Sequence, residues 1–157
     1  MTSIDCLEPK KQKKMRSLKF FVITQTKDEY PAVVDKSFKK GMIYPGPHFY
    51  IFKMDYTPGK EEYQIAKMRP IFERCGTVRD SLLNATGIGI TIHNPSGEDL
   101  SEDAKQKIAM IIKTLSDDFG IIQYQIVTDE ISDDAFVDTT YLPALVASTP
   151  SIFNKRI

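Results

Sequence analysis

The sequence predicts a small α/β or α+β domain, with about four main strands alternating with three helices in the order β-α-β-α-β-α-β. Three observations predict it. Residues 87–128 read strand, turn, helix, strand. Two earlier stretches, 18–24 and 49–56, are rich in β-branched and aromatic residues. A chain of 157 residues is one domain by length and is long enough to bury a core.

In chain order, residues 1–16 carry Lys10, Lys11, Lys13, Lys14 and Arg16 with few apolar partners, and read as a disordered basic arm. The domain is expected over 17–148, with a tail at 149–157. Leu18 to Thr24 is apolar on both faces, which suits a central strand. Asp28 and Glu29 open a short helix carrying Val33, Val34 and Phe38 and closed by Gly41. Phe49 to Tyr56 is the second strand. Tyr50, Phe52, Met54 and Tyr56 share one of its faces.

After the turn at Pro58 and Gly59, a helix is expected from about Glu61. Ile65, Met68, Phe72 and Cys75 form its apolar side, and Pro70 bends or ends it. Thr77 to Asn84 fits another helical turn, or a strand paired with 87–93; the helix is preferred. A helix keeps the sheet parallel, whereas a strand would make it mixed.

In Gly87 to His93, Ile88, Ile90 and Ile92 alternate on one face. Asn94-Pro95-Ser96-Gly97 stops that strand. Ser101 is placed to cap the next helix, with Glu102 and Asp103 in its electropositive first turn. Ala104, Ile108, Ile111, Ile112, Leu115 and Phe119 recur at helical spacing. Gly120 supplies the left-handed residue that ends such helices. Ile121 to Thr128 is the last main strand, with Ile122, Tyr124 and Ile126 on one face. The following segment is acidic, Ala135 to Leu142 is read as an edge strand, and Pro143 and Pro150 point to irregular chain beyond it.

Acids and bases balance at 21 each, so no overall field draws the chain to nucleic acid or membrane. The chain contains no run of 18 apolar residues, the length a bilayer span needs, so no transmembrane helix is expected. The N-terminus has no apolar signal core. Cys6 and Cys75 form neither a CxxC pair nor a disulfide framework, which points to a reducing, cytoplasmic setting.

The motif tests are mostly negative. A two-histidine phosphodiesterase needs a hydroxyl two residues after each histidine. Here Tyr50 follows His48 and Pro95 follows His93. The run His93 to Gly97 followed by Ser101 resembles the zinc motif of JAB/MPN-type isopeptidases over fewer than twenty residues. However, Ile92 and Asn94 stand where the metal histidines belong, and Ala104 where the acid belongs. No family is claimed from it. Gly87 and Gly89 precede a strand, so they do not form a dinucleotide loop.

If the four strands are parallel, their carboxyl ends gather Asp55, His93, Asp129 and Glu130. Asp55, Asp129 and Glu130 would suit magnesium, with His93 as acid/base and Asp55 and Asp129 as its catalytic partners. Separately, Tyr50 and Phe52 with the arm lysines and Arg16 form a surface for single-stranded nucleic acid or a protein partner.

The favoured expectation is a non-catalytic interaction or regulatory protein that binds another protein, without a cofactor. One alternative is a magnesium-assisted hydrolase or transferase acting on a phosphate ester. Another is a single-stranded nucleic-acid binder. No membrane partner is expected, and a homo-oligomer is compatible with either face.

Overall fold

The computed structural model describes residues 16–27, 46–53, 62–76, 80–128 and 137–150. Within them the strands are β1 (Phe20–Thr26), β2 (Phe49–Phe52), β3 (Gln64–Lys67), β4 (Gly87–His93) and β5 (Gln125–Thr128). The helices are α1 (Ser81–Thr86), α2 (Glu102–Asp118) and α3 (Leu142–Ser148).

The five strands form one mixed sheet in the order β3-β2-β4-β1-β5. β1 pairs in parallel with β4 and β5, and β2 pairs in parallel with β4. The four expected strands are therefore present and parallel. The fifth, β3, runs antiparallel to β2 at the edge.

β3 replaces the helix expected from Glu61. The spacing of Ile65, Met68, Phe72 and Cys75 imitates a helical face, but the sheet makes the stronger demand. Lys67, Ala66, Ile65 and Gln64 pair with Phe49 to Phe52, giving the backbone of β2 its second row of partners. Alternation then sends Ile65 to one side of the sheet and Ala66 and Met68 to the other. The preferred helical reading of 77–84 holds where it is described. Asp80 caps α1 by accepting from the N–H groups of Leu82 and Leu83 at 2.9 and 3.2 Å.

The main core lies between the sheet and α2. Phe21, Ile23, Phe49, Ile51, Ile88, Ile90 and Ile92 meet Ala104, Ile108, Ile111, Ile112 and Leu115 there. A fully buried isoleucine contributes about 1.5–3 kcal/mol, so β4 and α2 anchor the fold. Both ends of α2 form as the sequence predicts. Ser101 Oγ accepts from Ala104 N–H at 3.2 Å. Gly120 has φ 61°, and Ile121 N–H donates back to Ser116 at 2.9 Å, closing a Schellman turn.

Two expectations for the C-terminal part are corrected. Ile122 is 91 % exposed and precedes β5 instead of facing the core. The edge strand expected from Ala135 is absent over its described part, 137–142. Leu142 instead opens α3, with Pro143 in the first turn, where a missing N–H costs nothing. Buried Leu142 and Val146 join α3 to the main core, and Gln106 Nε2 donates to Thr149 Oγ1 at 3.1 Å. The helix expected over 28–41 lies outside the described residues.

The two edges of the sheet as a candidate functional site

Strand order locates the site. From β1 the chain next joins the sheet at β2, two places toward one edge; from β4 it next joins at β5, two places toward the other. β1 and β4 are neighbours, so the two steps pass one another in opposite directions. In open α/β sheets, ligands bind outside the carboxyl ends of the strands.

A crevice of about 340 Å³ opens there. Gln25 from the end of β1, Glu98 and Asp99 from the loop after β4, Lys105 from α2, and Asp138 and Tyr141 from the chain before α3 line it. Asn94 assembles one wall. Its N–H donates to Thr26 at 2.9 Å, and its Nδ2 donates to Gln25 Oε1 at 2.8 Å and to the Glu98 carbonyl at 2.7 Å. Gly97 turns the loop at φ 70°, a conformation suited to glycine. The opposite wall is tied to β5 by Val137 N–H, which donates to Thr128 Oγ1 at 3.1 Å.

The carboxylates form the rim and the larger side chains the floor. Glu98, Asp99 and Asp138 are exposed, whereas Gln25, Lys105 and Tyr141 are half-buried. The Lys105 ammonium lies 3.5 Å from Glu102 and 4.9 Å above the Tyr141 ring. Its charge is thus already engaged, and the rim is left acidic. The main-chain N–H and hydroxyl of Thr140 bond to Asp138 and hold its carboxyl below its ordinary value. Burial, then Asp138 and Glu102, push the Tyr141 phenol up to about 12, so it stays protonated at neutral pH.

The amino edge is built differently. Arg16 does not belong to a free arm at this point. Its guanidinium donates to the carbonyls of Ile71 (2.9 Å), Ala85 (2.8 Å) and Gly87 (2.7 Å). Two of these acceptors lie where α1 runs into β4, and the negative end of a helix favours a cation. Burial draws Arg16 down to about 10, which still leaves it charged at neutral pH.

His48 sits beside it, fully buried. Gly89 N–H donates to Nδ1 at 3.0 Å, which leaves the proton on Nε2, and Nε2 donates to the Glu73 carbonyl at 2.7 Å. Burial first, and then the Arg16 charge, lower His48 to about 3. Cys75 is a buried free thiol whose Sγ lies 3.6 Å from the Asn84 carbonyl and 3.7 Å from that of Gly87. It lies in a loop, not on the helix face expected of it.

The parallel register separates the histidines, with His48 at the amino edge and His93 at the carboxyl end of β4. His93 is buried at 4 % exposure on the sheet face away from α2, its ring 6.4 Å from that of Tyr50, and it does not line the crevice. Tyr50 is wholly buried and stacks on Phe52 at 5.5 Å, so its ring is closed to a nucleic-acid base. Asp55, Asp129 and Glu130 lie outside the described residues, as do Lys10, Lys11, Lys13 and Lys14. Among the described residues, no three His, Cys, Asp or Glu side chains are grouped to hold a metal ion. No described helix is long and apolar enough to cross a membrane.

None of the crevice residues Gln25, Glu98, Asp99, Lys105, Asp138 and Tyr141 is among the site residues expected from the sequence. The carboxyl-edge rule points to Gln25 and to the loop at 94–100. Nothing local marks Tyr141, which is 116 positions from Gln25. The chain matches no protein-family model, no curated protein and no solved structure. The fold and site thus define it only as a small mixed α/β domain with a polar crevice at its carboxyl edge.

Proposed function

We propose that the protein is a binding module that engages a protein partner by taking a lysine or arginine side chain into the carboxyl-edge crevice. The observation that carries this reading is the crevice itself. Three exposed carboxylates rim a half-buried floor outside the carboxyl ends of the parallel strands. A cation entering there meets Glu98, Asp99 and Asp138, while Gln25 offers a neutral amide already oriented by Asn94. The Tyr141 ring already holds the Lys105 ammonium, which leaves the three rim carboxylates to meet the incoming cation. The buried, reduced Cys75 fits a cytoplasmic setting.

The test is a titration of penta-lysine peptide into the isotope-labelled full chain, followed by amide NMR. Saturable shifts at Gln25, Glu98, Lys105 and Tyr141 that weaken with added salt are expected. No shift at those residues, or shifts confined elsewhere, would end this reading. Magnesium added to the same sample addresses the alternative: saturable shifts around Asp55, Asp129 and Glu130 would favour a metal-assisted enzyme.

A further inference from the structure

The balanced charge of the chain conceals a strong segregation. Residues 98–138 hold eleven acids against three bases, whereas the first sixteen hold five bases against two acids. The structure places one base of the first block, and from the second the three acids that line the crevice. Arg16, the last base of the N-terminal block, is bound at the amino edge of the sheet by the carbonyls of Ala85 and Gly87. The crevice with its acidic rim lies at the carboxyl edge, beyond the other end of β4. The basic sequence therefore joins the described fold at one edge, and the acidic rim lies at the opposite edge.

On this basis we propose that the crevice's partner is a second copy of this chain, whose Lys10–Lys14 segment docks into it head to tail. This rests on the reading of the crevice as a receptor for cationic side chains.

Reach argues against the chain filling its own crevice. From Gly87 to His93, β4 covers about 20 Å at ~3.3 Å per residue, and the crevice lies past its end. Lys14 and Lys13 stand two and three residues from the Arg16 anchor, so their main chain extends about 7 and 11 Å at ~3.6 Å per residue. Lys11 extends about 18 Å and Lys10 about 22 Å on the same scale, so even with their side chains only these two could reach the near end of the crevice, and only with the chain pulled straight. A neighbouring copy has no such limit and can present all four lysines. The contact is heterologous, because the arm of one copy meets the crevice of the next. It leaves a free arm and a free crevice at the two ends, and therefore builds chains or rings rather than a closed symmetric pair.

Sedimentation velocity of the full chain tests this, in three preparations. The first is the natural chain, whose mean mass is expected to rise with concentration at low salt and fall back to the monomer at high salt. The second carries Lys10→Gln, Lys11→Gln, Lys13→Gln and Lys14→Gln, and the third Glu98→Gln, Asp99→Asn and Asp138→Asn. Each alone is expected to associate at least about tenfold more weakly. Mixed, they complement: the third supplies an intact arm and the second an intact crevice, so the mixture forms a one-to-one pair and stops there.

A natural chain that stays monomeric at low salt, or an association insensitive to both sets of substitutions, overturns the proposal. The penta-lysine titration keeps the two readings apart. Peptide shifts at the crevice in a monomeric chain would retain the receptor and discard the second copy. Absent peptide shifts would discard both.

Discussion

The two edges of the sheet use charge in opposite ways. At the amino edge, Arg16 and His48 are turned inward and spend their hydrogen bonds on carbonyls and amides of the fold itself. At the carboxyl edge, Glu98, Asp99 and Asp138 face outward around a crevice, and the contacts that shape it are made by their neighbours. The difference teaches how to tell a structural charge from a functional one. A half-buried cation whose donors turn to carbonyls of the fold itself holds the chain in place. An exposed group on a rim held by other residues is available to a ligand.

The largest effect expected from this contrast is with acid. His48 is lowered from 6.5 to about 3 in the folded chain. The unfolded chain therefore takes up the proton first, and stability falls as the pH drops below about 6.5, continuing to about 3. The loss at the bottom of that window is on the order of 4 kcal/mol from this one group. Urea unfolding at a series of pH values checks it. A His48→Gln variant, though weaker at neutral pH, should show a shallower acid limb. An equally steep limb would place the sensitivity elsewhere.

The next effect comes from Arg16→Met. It keeps much of the stem but strands three carbonyls that now accept charge-assisted bonds. A loss of about 3 kcal/mol is expected in the same unfolding assay, since leaving buried partners unsatisfied costs more than a typical hydrogen bond returns. A loss below about 0.5 kcal/mol, the size of an ordinary surface change, would mean that water replaces the guanidinium and the inward reading is wrong.

The smallest stability effect should come from Asp99→Asn combined with Asp138→Asn. Both side chains are exposed, so the urea midpoint should barely move. Penta-lysine binding should nevertheless weaken several-fold. Stability that drops while binding holds would invert the comparison.

What could be read from the sequence divides along the same line. The α2 helix was legible down to its caps, because Ser101, the isoleucine stripe and Gly120 are local signals. The parallel strands were legible because Ile88, Ile90 and Ile92 and their counterparts must be buried on whichever sheet forms. β3 was misread because four residues that alternate on an edge strand and the loop after it also happen to recur at helical intervals. Arg16 was misread for a different reason. Its partners lie 55 to 71 positions away and are main-chain carbonyls, which carry no mark in the sequence. The crevice draws on positions from Gln25 to Tyr141, and only the strand order brings them together.

The junction at Gly87 carries one more consequence. α1 ends at Thr86 and β4 begins at the next residue, with no connecting loop. A Cβ at Gly87 would stand 2.4 Å from the Leu83 carbonyl and 2.7 Å from Val22, so even one methyl group has no room. This seam has no slack in length or in volume. An added residue there would rotate every side chain of β4 to the wrong face, moving Ile88, Ile90 and Ile92 out of the core in one step. The centre of the sheet is thus where the chain tolerates insertion least, and a library of random insertions should leave a gap there.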